Sequence, residues 1–217
     1  MAAPANITIA DISGKWLMVR SFPAAIAYFS PQHNNDQLVA QNKTLSDSPD
    51  PALQLQGIGW FIRKAIGAAS VTLHVKQYQA PPSPPATGTA PVTHIDIDQT
   101  ATAGLKGTSE QRCLDLEWRE HSDWMFGTVR GQSTFMSPDE IEDEFLKKGW
   151  LEGEAEATGP DGKSHVYSHV ESLDNGWTAT QIWGFQTIDG ERRYARNVLV
   201  KKGDKRVEIR LVYDWLG

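Results

Sequence analysis

The chain has 217 residues, 40% of them hydrophobic and 22% charged, with a formal net charge of −6. That length buries a sizeable core and fits one domain over residues 1–217, while the acidic balance argues against nucleic acid as a partner. No run of about 18 apolar residues is present to span a membrane, the start MAAPANITIADIS lacks the basic and apolar parts of a secretory signal, and a lone Cys113 makes no internal disulfide, which points to a reducing, cytoplasmic setting.

In chain order, Gly14–Met18 reads as a first strand. Val19–Gln41 then fits neither helix nor strand, being aperiodic and poor in charge. Val codons begin GT and a Gln codon can be CAG, so this segment has the borders of an unspliced intron read in frame. It reads as a gene-model artefact, with a genuine loop for oligomer contacts as the alternative. Asp50 can cap a helix with Pro51 at its first position, and Gly57 suits its end. A second short helix follows over Ile58–Ile66, stopped by Gly67.

From there the pattern is almost wholly period two. Strands are predicted at Val71–Tyr78, Val92–Thr102, Gln111–Trp118, Trp124–Phe135, Ser164–Ser172, Gly176–Thr187, Arg192–Lys202 and Lys205–Trp215, with a weaker one at Gly149–Ala157. Turn signals such as Asp174-Asn175-Gly176 and Asp189-Gly190 separate them. About ten antiparallel strands in hairpin order predict a mainly β chain closed into one barrel, because closure removes exposed edges. Gln79–Pro91 is too rich in proline for a strand and makes a loop at one barrel mouth, either a surface insertion or a flap over a ligand or a neighbouring subunit. Ser137-Pro138-Asp139-Glu140 is a capping box that predicts one extra helix to Lys148, with Glu144–Lys148 and Asp143–Lys147 pairs and with Ile141 and Phe145 turned to the barrel.

The order of Gly14-Lys15-Trp16, then short helices carrying Gly57-Ile58-Gly59-Trp60-Phe61-Ile62-Arg63-Lys64, then only strands, resembles the intracellular lipid-binding proteins, a lipocalin-like calycin barrel. The resemblance implies a small hydrophobic ligand inside the barrel under a helix-turn-helix lid, with Trp60 and Phe61 beside it. The extra helix departs from that family. So does the clamp for a ligand carboxylate, Arg-x-Tyr near the C-terminus: Arg192-Arg193-Tyr194 has the spacing one strand early, and Arg210 and Tyr213 fall on opposite faces of the last strand. A buried Arg here needs Glu208, Asp214 or an anionic ligand as partner. In size and general make-up the chain is also similar to small fungal lipocalin-like proteins of polyketide clusters, among them the cofactor-free phenalenone cyclases that work by hydroalkoxylation.

Several residues can carry such chemistry. His165, Tyr167 and His169 share one face of a strand, as do His94, Asp96 and Asp98, opposite Ile95 and Ile97. Facing the lumen, Tyr167, His169, His94 and Asp96 can donate or accept protons, and Arg196 can steady a phenolate. Facing water they are surface, and alternation alone does not choose between the faces. Trp118, Trp124, Trp177, Trp183 and Tyr194 would line a pocket for a flat aromatic ligand, and Trp177 and Trp183 share one parity. No third ligand accompanies the paired histidines, so no metal is expected, and no GxSxG, HExxH, P-loop or EF-hand is present. The expectation is a cofactor-free cyclase for an aromatic or polyketide molecule, of hydroalkoxylation type. A carrier of a hydrophobic metabolite is the alternative, and an isomerase or dehydratase would use the same groups.

Overall fold

The computed structural model describes residues 1–19, 45–102 and 106–217. The anomalous 19–41 segment therefore lies, Val19 apart, outside the described residues. Among the described residues ten strands form: β1 (Gly14–Met18), β2 (Val71–Ala80), β3 (Val92–Ala101), β4 (Thr108–Cys113), β5 (Arg119–Asp123), β6 (Gly127–Met136), β7 (His165–Ser172), β8 (Thr178–Ile188), β9 (Glu191–Lys202) and β10 (Lys205–Trp215). Two helices, α1 (Asp50–Leu55) and α2 (Trp60–Ala68), separate β1 from β2.

All ten strands belong to one antiparallel sheet in the order β4-β3-β2-β1-β10-β9-β8-β7-β6-β5. Short β1 pairs with both β2 and β10, so the first strand joins the two runs of hairpins into a nearly closed barrel. The ladder is unpaired only between β4 and β5. The hairpin between β8 and β9 turns on Asp189 (φ 52°) and Gly190 (φ 75°), two consecutive left-handed residues that match the twist of the flanking strands.

Register fixes what faces inward. Trp16 lies opposite Leu73 and Trp215, Val75 opposite Ile97, and Tyr194 opposite Tyr213. These residues make one barrel core with Ile95, Phe185 and Trp183, and each large apolar side chain buried there contributes about 1.5–3 kcal/mol. The N-terminal segment closes one barrel end. Ile9 and Ile12 join that core, and Arg192 donates to the carbonyls of Pro4 and Ile7 while pairing with Glu156 at 2.7 Å. The helices cover the other end. Ala52 of α1 packs with Trp177, Val198 and Ile209, and the Arg63–Asp50 ion pair (3.2 Å) ties α2 to α1.

The capping box at Ser137 forms, but it opens only a 3-10 turn, Pro138–Glu140, and not a helix to Lys148. Asp143 then turns the chain again, accepting from the backbone N–H of Phe145 and Leu146, and it pairs with Arg206 at 2.9 Å instead of with Lys147. Gly149–Ala157 forms turns, not a strand; the tenth strand is β5. Residues 141–150 pack onto the outer face of the sheet, where Ile141, Leu146 and Trp150 meet Ile182, Ala195 and Val212. The Asn197 amide donates to the carbonyls of Phe145 and Lys148 and fixes this outer layer. The sheet is thus buried on both faces over β7–β10.

Candidate active site

A cavity of about 690 Å³ runs inside the barrel from the helices to the proline-rich loop, bordered by the facing edges of β4 and β5. That is the size of a site for a drug-sized molecule. Its apolar wall comes from Ala52, Phe126, Trp177, Ala179, Val198 and Leu211.

The polar wall is built on β4, β8 and β9. Trp183 is fully buried, and its indole N–H donates to Gln181 Oε1 at 2.9 Å, which sets the plane of the ring. Two guanidinium groups lie over that ring, Arg196 at 4.0 Å and Arg112 at 5.1 Å from its centroid. They differ in charge balance. Arg112 donates to Glu110 Oε2 (2.5 Å) and to Ser168 Oγ (2.6 Å), and Gln99 donates to the other oxygen of Glu110 at 2.8 Å. Among the described residues Arg196 donates only from Nε, to the Tyr194 hydroxyl at 3.0 Å, and its Nη2 has no hydrogen-bond partner. Among the described residues Asp214 pairs with Arg193 and Glu208 with Arg206, so neither of the partners expected from the sequence reaches Arg196. A buried guanidinium without a carboxylate costs several kcal/mol unless something else meets it.

The titration of these groups bears on what they can do. Burial pushes the Glu110 carboxyl up, but Arg112, and Arg196 beyond it, outweigh that and hold it below its ordinary value. Burial raises the Tyr194 phenol and pushes that of Tyr213 up to about 12. The polar wall therefore offers an ionised carboxylate, two cations and two phenols of low acidity near neutral pH. His121, on edge strand β5, also borders the cavity, but its side chain is 50% exposed.

Of the residues singled out in the sequence, Arg196, Trp177 and Trp118 line the cavity, while Trp183 lies in the core against the Arg196 guanidinium and Tyr194 supports Arg196 from the same core. Trp124 stands at the rim, 41% exposed, its indole donating to the Gly107 carbonyl at 3.3 Å. The proton-transfer candidates fall elsewhere. Tyr167 and His169 lie opposite Ile182 and Thr180, on the outer face of the sheet. There His169 Nδ1 is 2.8 Å from Thr180 Oγ1, burial lowers its pKa, and Trp118 meets its ring edge-on at 5.9 Å. Trp118 bridges this cluster and the cavity it borders, with the Arg130 guanidinium 4.7 Å above its ring. His94 and Asp96 alternate with inward Ile95 and Ile97 and so also turn outward; His94 stacks on Tyr78, whose hydroxyl donates to Asp96 at 3.1 Å. His94 reaches the cavity only where Ser83–Pro85 border it, with Nε2 3.0 Å from the Pro81 carbonyl. Trp60 and Phe61 are 57% and 82% exposed, because α2 turns Arg63 and Ile66 inward and leaves these two on its solvent side. Glu110, Arg112, Gln99 and His121 escaped sequence reasoning.

Comparison with known proteins places the chain in a family. A probable pericyclase, scpY of Mollisia scopiformis, is 28% identical over 218 residues, covering 100% of this chain and 95% of that protein. Pericyclase pydY of an Acremonium species is 30% identical over 219 residues, covering 100% and 98%. The chain belongs to this pericyclase family. It is an enzyme of the cyclising and isomerising type, related to cyclases of fungal secondary metabolism. No family model matches it. Among solved structures, secretory abundant heat soluble protein 4 of Ramazzottius varieornatus shares the fold, with a TM-score of 0.50, 8% identity, and coverage of 97% of this chain and 98% of that one. As-p18, an extracellular fatty acid binding protein, is similar at a TM-score of 0.45 and 12% identity, over 94% and 95% of the two chains.

Proposed function

We propose that the barrel closes a ring in a single conjugated, oxygen-bearing substrate by a pericyclic reaction, with π bonds becoming σ bonds and no proton or co-substrate consumed. The observation that carries this reading is the charge pattern over Trp183: one cation is hydrogen-bonded to a carboxylate, and the other, Arg196, has no carboxylate in hydrogen-bonding contact among the described residues. A substrate oxygen docked on Arg196 meets that charge, and the guanidinium draws electron density from the conjugated system attached to it. In a water-poor lumen such a preorganised contact is worth far more than in solution. The aromatic and aliphatic walls hold the rest of the chain folded on itself. Holding reacting termini together removes rotational entropy that a free polyene must lose on the way to the transition state.

Hydroalkoxylation, expected from the sequence, asks for a strong proton donor beside an alkene. Glu110 is ionised and the Tyr194 and Tyr213 phenols are held weakly acidic, so the wall around Trp183 is poor in acids. Tyr167, His169, His94 and Asp96 turn outward. His121 and His94 border the cavity and could supply a proton, but His121 stands half in solvent and His94 Nε2 is occupied with the Pro81 carbonyl at 3.0 Å. The balance favours a ring closure without proton transfer.

The test is direct. Purified protein is incubated with a synthetic linear polyene bearing a conjugated ketone, and the products are resolved on a chiral column. The reading expects accelerated formation of one stereoisomer of unchanged mass. Binding of the polyene with an unaltered rate and isomer ratio would return the barrel to the role of carrier.

A further inference from the structure

Both arginines of the polar wall border the cavity, and each stands against the Trp183 ring. They come from separate parts of the sheet: Arg196 from β9, directly opposite Trp183 of β8, and Arg112 from β4 at one end of the strand order. A substrate oxygen bound to one or the other would lay the reacting chain along the cavity in two different ways. An enzyme delivering a single isomer needs one of these anchors to be silent, because discrimination between binding modes is a difference of affinities and is often set by disabling the wrong one.

Glu110 is placed to do this. Its Oε2 takes Nη2 of Arg112, and its Oε1 is held by the Gln99 amide, which keeps the carboxylate from swinging away. Ser168 Oγ, fully buried on β7, takes Nη1 of Arg112. Arg112 is thus paired with a carboxylate and has both terminal nitrogens engaged, while its Nε, like Arg196 Nη2, has no partner among the described residues. Among the described residues Arg196 has no carboxylate in hydrogen-bonding contact and no partner for Nη2, and Glu110 reaches it only through space.

We propose that Glu110 is a specificity-determining residue: by neutralising Arg112 it directs the oxygen-bearing head of the substrate to Arg196 and so fixes which way the chain lies when the ring closes. This rests on the docking of a substrate oxygen at Arg196 proposed above. Glu110 itself is a positioning residue that acts through Arg112. Its replacement by the neutral amide keeps the shape and the acceptor oxygen while releasing the charge of Arg112. The cavity then holds two competing anchors instead of one.

The experiment uses the anionic dye 8-anilinonaphthalene-1-sulfonate as an oxyanion probe, with neutral Nile red as the control for pocket integrity. Arg196→Gln is expected to weaken the anionic dye about tenfold or more, the loss of a charge-assisted contact, with Nile red binding changed less than twofold. Adding Glu110→Gln to Arg196→Gln is expected to restore anionic-dye affinity to within threefold of the unaltered protein, because Arg112 takes over. Adding Arg112→Gln as well is expected to abolish that rescue. With the polyene ketone, Glu110→Gln alone is expected to convert a single isomer into a mixture. A damaged fold cannot produce rescue, so the result separates positioning from structure. If Arg196→Gln leaves the anionic dye unaffected, the docking reading itself fails. If Arg196→Gln weakens the dye and Glu110→Gln does not rescue it, the role of Glu110 is overturned while the docking reading stands. Should the Glu110→Gln chain not fold, Glu110→Asp, which lengthens the contact, is expected to give partial rescue of the same sign, and its failure to rescue also overturns the proposal.

Discussion

Replacing Arg196 by Met separates function from stability with opposite signs. The side chain is buried, its guanidinium lies 4.0 Å over Trp183, and it makes one hydrogen bond, to Tyr194. For activity, the variant loses a charged contact to a substrate oxygen, about 1.5–3 kcal/mol. At about 1.4 kcal/mol per tenfold, kcat/KM falls roughly 10- to 150-fold. For stability, the lost hydrogen bond contributes about 1 kcal/mol and the buried cation–π contact up to about 2 kcal/mol. Against these stands the desolvation of an ion without a carboxylate, which costs several kcal/mol. Met has similar length and no charge to desolvate. The expected outcome is a fold as stable as the parent or about 1 kcal/mol more stable, a rise in Tm of up to roughly 2–4 °C for a chain of this size. Thermal melts and initial rates on one preparation decide it. A drop in Tm of more than about 6 °C with activity retained would show that Arg196 holds the fold and serves no substrate.

Three further outcomes follow from other parts of the molecule. His165 is buried against Trp150 and Ser164, and burial alone lowers its pKa from 6.5 to about 4. The unfolded chain then binds this proton first, so the stabilisation is complete above pH 6.5 and is lost as the pH falls towards 4, about 3 kcal/mol in all; urea midpoints at pH 7 and pH 4.5 should converge markedly in His165→Phe relative to the parent, and an equal acid shift in both contradicts the assignment. Gly107→Ala should cost at least about 2 kcal/mol, since an added Cβ would lie 1.9 Å from the Gln99 carbonyl oxygen and must part β3 from β4; an unchanged melt would show that the chain bends there freely. His121→Gln should leave the ring-closing rate within twofold, whereas a tenfold loss would restore acid catalysis as the mechanism.

The barrel was legible because its signals are local. Hairpin turns such as Asp189-Gly190, the Asp50-Pro51 helix start and period-two alternation each act over a few residues, and nine of the ten predicted strands have a counterpart at or near the expected place. The inner parity of Trp177 and Trp183 was legible for the same reason. What was not legible is which face of β7 and β3 looks inward. Residues 141–150 cover the outside of β7–β10, so Tyr194 and Ala195, or Trp183 and Ile182, are alike buried and alternation carries no label. Outward His165 and Tyr167 therefore looked as eligible as inward Ser168. Glu110 and His121 were missed because they fall outside the predicted strands, and Arg112, inside the predicted Gln111–Trp118 strand, was missed because its polar neighbours hide which face looks inward; these strands are polar because they line the cavity and leave their facing edges unpaired. Leu114–Trp118, predicted to continue a strand, instead turn the chain between them.

The central claim is ring closure without proton transfer, and solvent isotope incorporation tests it most directly. The linear polyene ketone is turned over in D₂O, and the cyclised product is returned to H₂O and read by mass spectrometry and proton NMR. A pericyclic closure predicts a product with no carbon-bound deuterium beyond that exchanged in the uncyclised substrate. One deuterium per molecule on a newly saturated carbon would contradict the account and establish protonation of an alkene in its place.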